Sequence, residues 1–529
     1  MGTTKEILER DSFKNLCSDV NQFVEDKLKG YSPSRMSSKV IHDPVWGSIE
    51  YSDWEMQIID TPLFQRLRDI SQVGLAMLTY PSARHSRFEH SLGVASASKL
   101  MCEKIQRNTP DFKIDDDTRN TIILAALLHD IGHCFYSHLS ESIYGTQKYL
   151  NDLKEDINSL LLLKPKPHEI LSFVIINTPA FKRFFIANVD FPHKSNLASD
   201  LFINVGSMII GANIQHGNTI RSFQTAIING PFDADKLDYI KRDSLTAGLA
   251  LQYDMERLFT KLRIHEVACG NIIEKKLVID LNGVTAIEEL TFCKIMLFSY
   301  IYYHQKVLVS EAMVRDYAFG LCELGLFNKC SDFLKYTDSD ILKLADLDSV
   351  SGHNPFPEYG ALNLGELASN IRNRRLPKRC FEISQNNINI PDDSDKNMDY
   401  FVKPFLKATY IDLLSLRKNF YIKLVKKYQE NSQTVNFTMF DIYIIFPDTA
   451  YYGTGDDKVV LGRDQRHLIT INQFIKLDPW AEAFKSNKWR GYIFVSDKIN
   501  NKLAYEVACD FVFHGEATLS NPTLYIKDI

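Results

Sequence analysis

His129 and Asp130 stand side by side at the end of the apolar run Ile122 to Leu128, where a buried helix would deliver two adjacent ligands to one metal ion. A lone His-Asp dipeptide carries little information. Two more candidate ligands bring helix-start chemistry of their own: His90, in Arg87-Phe88-Glu89-His90-Ser91-Leu92-Gly93, and Asp235, in Asp233-Ala234-Asp235-Lys236-Leu237-Asp238-Tyr239. Two imidazoles and two carboxylates make a mixed nitrogen and oxygen site that suits Mn, Fe, Mg, Zn or Ni and leaves room for water or substrate. Such an ion lowers the pKa of a bound water and polarises a phosphoryl oxygen, so the favoured chemistry is hydrolysis of a phosphate ester.

The polar neighbours fit that chemistry. Arg87 precedes His90 by three residues and Lys236 follows Asp235, and both can neutralise phosphate oxygens. His138 and Glu141 are spaced i,i+3, so on a helix the carboxylate would orient the imidazole and hold it protonated for a departing sugar oxygen. His168, beside Glu169, is the other candidate. Taken singly, His85, His133, His138 and His168 read as surface or hydrogen-bonded structural histidines, Tyr239 and Tyr303 as core or rim aromatics, and Lys294 and Lys306 as solvated. The run Arg372 to Arg379 reads first as a solvated charge run and next as a phosphate or nucleic-acid contact. It is the set His90, His129, Asp130 and Asp235, each at or near an expected helix end, that favours a metal over accident.

Those helix ends are written locally. Ser86 and Glu89 form a capping box, which predicts a helix through Leu92, Val94, Ala97 and Leu100 to about Gln106. Asp115-Asp116-Asp117-Thr118 starts the next helix, and Gly132 fits its exit. From Asp235 onward, Asp235, Tyr239 and Arg242 or Asp243 share one face, with Asp238 and Arg242 a structural i,i+4 pair. Elsewhere the pattern predicts one long helix from Leu290 to Val309, a polar stretch from about Thr337 to Asp395, and strands at Val435-Phe437-Met439, Asp441 to Phe446 and Tyr492 to Val495. The expected class is mainly α, a helical core with a smaller C-terminal α/β lobe. The expected organisation is a helical arm at 1–38, a core at 39–335 with a helical insertion at about 142–230, a linker with the basic segment at 336–399, and the lobe at 400–529.

Composition narrows the classes. With 529 residues, 45% apolar and 24% charged, the chain is globular in composition, and a net charge of -5 excludes a globally basic nucleic-acid binder. Nine cysteines without a paired motif suggest neither a disulfide framework nor a zinc ribbon, so a reduced, cytoplasmic location is expected. The N-terminus has charges where a signal peptide needs an apolar segment, and no membrane association is expected.

Lys39-Val40-Ile41-His42-Asp43-Pro44-Val45-Trp46-Gly47, Ile59-Asp60-Thr61-Pro62-Leu63-Phe64-Gln65-Arg66-Leu67-Arg68, the Arg87 to Gly93 stretch and His129 to His133, in that order, resemble the HD-domain deoxynucleoside triphosphate triphosphohydrolases. The resemblance extends to the vertebrate sterile-alpha-motif and HD-domain enzyme, without its sterile-alpha-motif portion. It implies a helical HD core and release of whole triphosphate from a deoxynucleoside triphosphate by water attack at the α-phosphorus. It implies metal ligation by His90, His129, Asp130 and Asp235, and catalytic roles for His138, His168, His133, Glu141 and Arg87. Substrate contacts implied in the same way are Gln72 and Val73 near the sugar, Arg87, His133, His138, Lys236 and Tyr239 on phosphates, Asp243 toward the 3′-hydroxyl, and Tyr303 near base or sugar.

The resemblance further implies a homotetramer or other homo-oligomer activated by GTP or dGTP. Lys39, Val40, Asp60, Gln65 and Arg68 would read the guanine, and Arg374, Leu376 and Lys378 of a neighbouring copy would meet its phosphates. His42 and Gln305 replace the Asn and His of the family's adjoining nucleotide site, and Ile295 falls where an Arg is expected, beside Lys294. The biological setting would be nucleotide catabolism or antiviral defence. The rival readings are a phosphohydrolase acting on another nucleotide or phosphate ester, and a module that binds nucleotides or single-stranded nucleic acid through Arg372 to Arg379.

Overall fold

The computed structural model describes residues 3–33, 37–192, 200–391, 395–447, 459–461, 467–474 and 477–520. They fall into two compact units, Met1–Leu297 with Phe327–Ile341 and Gly455–Ile475, and Phe298–Leu326 with Leu342–Thr454 and Lys476–Ile529. The fold is mainly α, with a smaller α/β region toward the C-terminus.

Three helices of the first unit position the expected site. Asp116–Leu128 is buried at every residue from Thr121 onward, as expected of a helix that runs through a core instead of over it. Arg87–Asn108 packs against it, and Ala234–Thr246 packs against Arg87–Asn108. Each starts on a side-chain cap: Ser86 and Glu89 make the capping box, Asp115 accepts the Thr118 N–H, and Asp233 accepts the Lys236 N–H. Gly93 lies where two of these helices meet, and a Cβ there would stand 1.9 Å from Asp238 Oδ1. Only glycine allows that approach.

Asp11–Leu28 packs against Lys148–Leu161, Pro167–Asn177 and Pro179–Asn188, and Leu201–Ile209 packs on Pro167–Asn177 and on the buried 116–128 helix. The segment Phe327–Ile341 returns to this unit, with Phe333 stacked on Phe135 at 5.9 Å between ring centroids. The unit also holds the antiparallel hairpin Lys39–Asp43 with Gly47–Tyr51 and a six-stranded mixed sheet in which the hairpin Leu262–Cys269 with Ile272–Asp280 is joined by Gln215–His216, Thr219–Ile220, Val459–Leu461 and Leu468–Thr470. Sequence pattern missed the Leu262–Asp280 hairpin because burial is confined to Leu262 and Ile264 on one strand and Leu277 to Ile279 on the other, while the rest carries paired charges such as Lys275 and Glu266, 3.1 Å apart.

The second unit holds a three-stranded antiparallel sheet in the order Lys378–Ile383, Gly491–Val495, Ile442–Ile445. Tyr410–Glu430 and Asn501–Phe513 contribute Phe420, Leu424, Val507 and Phe511 to the core on it. Asp316 and Arg417, both buried, form a bidentate pair at 2.8 and 2.9 Å.

Several expectations need correction. The helix expected over Leu290 to Val309 ends at Leu297, passes through a π-helical turn at Phe298–Tyr302, and restarts at Gln305 with His304 as its cap. Val435-Phe437-Met439 is not a strand: Thr438 and Asp441 form a capping box that winds Met439–Asp441 into a 3-10 turn. Gly132 does not end a helix, since Asp116–Leu128 stops earlier, and a Cβ at Gly132 would lie 2.4 Å from the His168 carbonyl. The polar stretch after Thr337 contains the helix Leu364–Arg372 and a strand, Lys378–Ile383, buried at its second half.

Asp316→Ala strands the Arg417 guanidinium in the core and is expected to destabilise the second unit by about 3–5 kcal/mol, measured by denaturant unfolding. Joint replacement by Leu and Met is expected to recover most of that loss.

Candidate active site

His90 lies in the first turn of the Arg87–Asn108 helix, His129 caps the end of Asp116–Leu128, and Asp235 lies in the first turn of Ala234–Thr246. Their ligand atoms all lie within 4.8 Å of one another, with His90 Nε2 3.0 Å from Asp235 Oδ1. The other ring nitrogens are fixed: His129 Nδ1 meets the Ala126 carbonyl at 2.7 Å, which makes it the donor, and His90 Nδ1 meets Asp238 Oδ2 at 2.7 Å. The Nε2 atom of His129 is buried with no hydrogen-bond partner, and that of His90, also buried, faces only the Asp235 carboxylate. Leaving a buried polar atom unpaired costs about 1–3 kcal/mol, and two such imidazole nitrogens beside a carboxylate are a donor set for a divalent cation. The residues therefore fit a metal.

Asp130 lies against the same centre. Its Oδ2 accepts from Arg87 Nη1 at 2.8 Å and stands 3.6 Å from His90 Nε2, and its Oδ1 is 3.4 Å from the Nε2 atoms of both His129 and His133. Burial works to raise its pKa, but Arg87, His129 and His133 outweigh that and hold it well below the usual carboxylate range.

Next to this centre three imidazoles surround Glu141. Its Oε1 meets His168 Nδ1 at 2.6 Å and His138 Nδ1 at 2.8 Å, with His133 Nδ1 at 3.7 Å, and the His133 and His168 rings stack at 3.9 Å. Burial favours a protonated Glu141, yet His168 and His138 keep it ionised. Burial, then Arg87 and His168, keep His133 neutral. The cluster could hold a cation of its own, but two of its imidazole nitrogens already face Glu141. The side chain of His138 is 56% exposed while those of His133 and His168 are 0% and 6% exposed, so only His138 is open to a leaving group. At His138 burial lowers the pKa and Glu141 raises it, with a downward net. The carboxylate orients the ring.

The remaining expected residues are placed as follows. Gln72 and Val73 are buried, and Gln72 Oε1 has no hydrogen-bond partner. Lys236 Nζ is tied to the Gly230 carbonyl at 2.7 Å and to Asp233 at 2.5 Å. Burial and then Asp235 raise the Tyr239 phenol well above its ordinary value, and Asp243 accepts from His85 Nε2 at 2.7 Å. Of the expected activator residues, Lys39 pairs with Asp60 at 3.2 Å, Arg68 bonds Gln65 at 2.6 Å, and Val40 is 66% exposed. Tyr303, Arg374, Leu376 and Lys378 belong to the second unit.

Sequence reasoning missed Asp238 as the partner of His90, Gly93 as the clearance for it, and Ser137, whose hydroxyl receives Arg87 Nε at 2.8 Å. Only the i,i+3 spacing of Asp238 from Asp235, on one helical face, could have signalled the first of these.

Comparison with known proteins agrees with the geometry. The HD domain family model matches residues 87–173 and the HD associated region matches 253–400. An HD domain-containing protein of Acanthamoeba polyphaga mimivirus is 28% identical over 380 residues, 67% of this chain and 76% of that protein. The deoxynucleoside triphosphate triphosphohydrolase SAMHD1 homolog of Dictyostelium discoideum is 29% identical over 66% of this chain and 61% of its own length. SAMHD1 of Bos taurus is 37% identical over 142 residues, 25% of this chain and 24% of that enzyme, so the chain spans only part of these two relatives. The crystal structure of a hypothetical protein from Aquifex aeolicus superposes with a TM-score of 0.58 at 21% identity, over 89% of this chain and all of that one, and shows the same fold.

Asp238→Asn leaves one acceptor oxygen where two now receive His90, Arg242 and Trp46, and so weakens the bond that fixes the His90 tautomer while Asp43 still pairs with Arg242 at 2.9 Å. A loss of about 10–100-fold in divalent-metal affinity is expected, read by chelator competition, with helical content unchanged.

Proposed function

We propose that this chain, a member of the HD-domain phosphohydrolases, hydrolyses deoxynucleoside triphosphates to the deoxynucleoside and inorganic triphosphate. The observation that carries the reading is the convergence of buried His90 Nε2, buried His129 Nε2 and the Asp235 carboxylate, beside a buried guanidinium and a half-exposed histidine. The triphosphohydrolase names of the Dictyostelium and bovine relatives support the choice of substrate. A divalent cation held by His90, His129, Asp130 and Asp235 supplies Lewis acidity toward water and a phosphoryl oxygen.

The chain's own groups do the rest. Arg87, His133, Lys236 and Tyr239 supply donors for the phosphate oxygens. His138 faces the departing 5′-oxygen. Its resting pKa is lowered, and the negative charge of an arriving triphosphate raises it, so the proton is taken up with the substrate and passed to the leaving oxygen. Glu141 orients the ring, and His168 shares that carboxylate. Gln72, Val73, Asp243 and Tyr303 frame the sugar and base.

Regulation belongs to the same reading. GTP or dGTP would sit on Lys39, Val40, Asp60, Gln65 and Arg68, with Arg374, Leu376 and Lys378 supplied by another copy in a homo-oligomer. The clustering of Arg374, Arg379 and Lys378 around Lys306, which together with burial lowers the Lys306 pKa, supports an anionic partner at that place.

Incubation of the purified protein with a divalent metal and each deoxynucleotide, with and without GTP, is expected to yield nucleoside and inorganic triphosphate. Release of pyrophosphate or single phosphate would overturn the reaction type. A second expectation concerns Lys294, whose pKa is pushed down to about 8 by burial and then by Lys236. It is charged below that pH and neutral above it, so KM for the nucleotide is expected to rise as pH passes through about 8. Lys294→Arg, which stays charged, is expected to abolish that rise.

A further inference from the structure

Arg87 is held by three neighbours. Its Nη1 meets Asp130 Oδ2 at 2.8 Å, its Nε meets the Ser137 hydroxyl at 2.8 Å, and its Nη2 meets the Gln72 carbonyl at 3.3 Å. The first partner sits at the end of a packed helix, but the other two are on short connections with little regular structure. Ser71, beside Gln72, belongs to no strand and forms an isolated bridge with Ser86. Tyr136 and Ser137 are both non-glycine residues at positive φ, 51° and 53°. Two consecutive residues in that region persist only where the surroundings impose the conformation.

The group that imposes it comes from a distant part of the chain. Asp338 Oδ2 accepts the Ser71 N–H at 2.9 Å and its Oδ1 accepts the Tyr136 N–H at 2.5 Å. The ring is closed by the Ser137 hydroxyl, which donates to the Ser71 carbonyl at 2.5 Å. Asp338 is itself anchored: its segment stacks Phe333 on Phe135, the residue before Tyr136, and ties the Ser331 hydroxyl to Asp19 at 2.5 Å. An aspartate at the start of a helix ordinarily caps its own backbone, yet both oxygens here reach across to two different loops.

We propose that Asp338 is a positioning residue for Arg87: by accepting the N–H groups of Ser71 and Tyr136 it sets the Ser137 hydroxyl and the Gln72 carbonyl that aim the guanidinium at phosphate. Asp338 touches neither the metal ligands nor the expected substrate and acts through Arg87. The inference rests on the reading above in which Arg87 meets a substrate phosphate. It gives the HD-associated part of the chain, in which Asp338 lies, a role in the chemistry of the HD domain.

Asn at this position keeps one acceptor and turns a donor toward the other N–H, so Asp338→Asn releases one loop. A mutant cycle with Arg87→Ala tests the proposal, with bound metal and circular dichroism measured alongside. Asp338→Asn is expected to lower kcat/KM for the nucleotide by about 10–100-fold at wild-type metal content, and to add no further loss in the Arg87→Ala background. Independent, multiplicative losses, or wild-type activity in Asp338→Asn, would overturn it. If Asp338→Asn does not fold, Ser137→Ala takes its place in the cycle, with the same expected non-additivity and the same contradicting result. If the wild-type protein turns over no nucleotide, the functional reading fails while the positioning claim is still decided by the crystal structure of Asp338→Asn or Ser137→Ala: a displaced Arg87 side chain supports it and an unmoved one overturns it.

Discussion

Buried imidazole nitrogens are costly unless something meets them, and this structure brings two, His90 Nε2 and His129 Nε2, into one small space with the Asp235 carboxylate. The surrounding architecture is what that arrangement requires. Asp238 fixes the His90 ring, Arg242 holds both oxygens of Asp238 at 2.8 and 2.9 Å, and Asp43 meets the Arg242 Nη2 that also serves Asp238. Gly93 clears the room for this chain of contacts. Each buried charge is paired, so no link can be changed without exposing the next.

The same economy governs the flank of the site. Asp130 is shared between Arg87 and the metal-facing histidines, and Glu141 is shared among His133, His138 and His168. Burial divides the three imidazoles by task. Two are enclosed and are suited to shaping and donating, while the third sits at the rim where its protonation responds to the charge of whatever binds. A rigid donor set beside one titrating side chain suits an anionic substrate whose leaving group needs a proton.

Much of this was legible in the sequence because it is written locally. The capping residues Ser86, Asp115 and Asp233 announce the three helices that carry the ligands, and an unbroken apolar run marks the buried one. His138 and Glu141, one turn apart, pair as their spacing predicts. What escaped has no local signature. Asp238 is a true partner of Arg242, but its bond to His90 crosses 148 positions. Asp338 binds two backbone N–H groups, which any residue could offer, so nothing at Ser71 or Tyr136 points to it. The break at Phe298 to Tyr302 was hidden by an apolar, aromatic stretch that suits an α-helix and a π-turn equally well.

The central claim is that one divalent cation is shared by ligands from three separated helices. Anomalous diffraction from crystals of the metal-loaded protein tests it most directly. The account predicts a single strong peak about 2.0–2.3 Å from His90 Nε2, His129 Nε2 and an Asp235 oxygen. A peak among His133, His138, Glu141 and His168 instead, or none at either place in fully loaded protein, would contradict it.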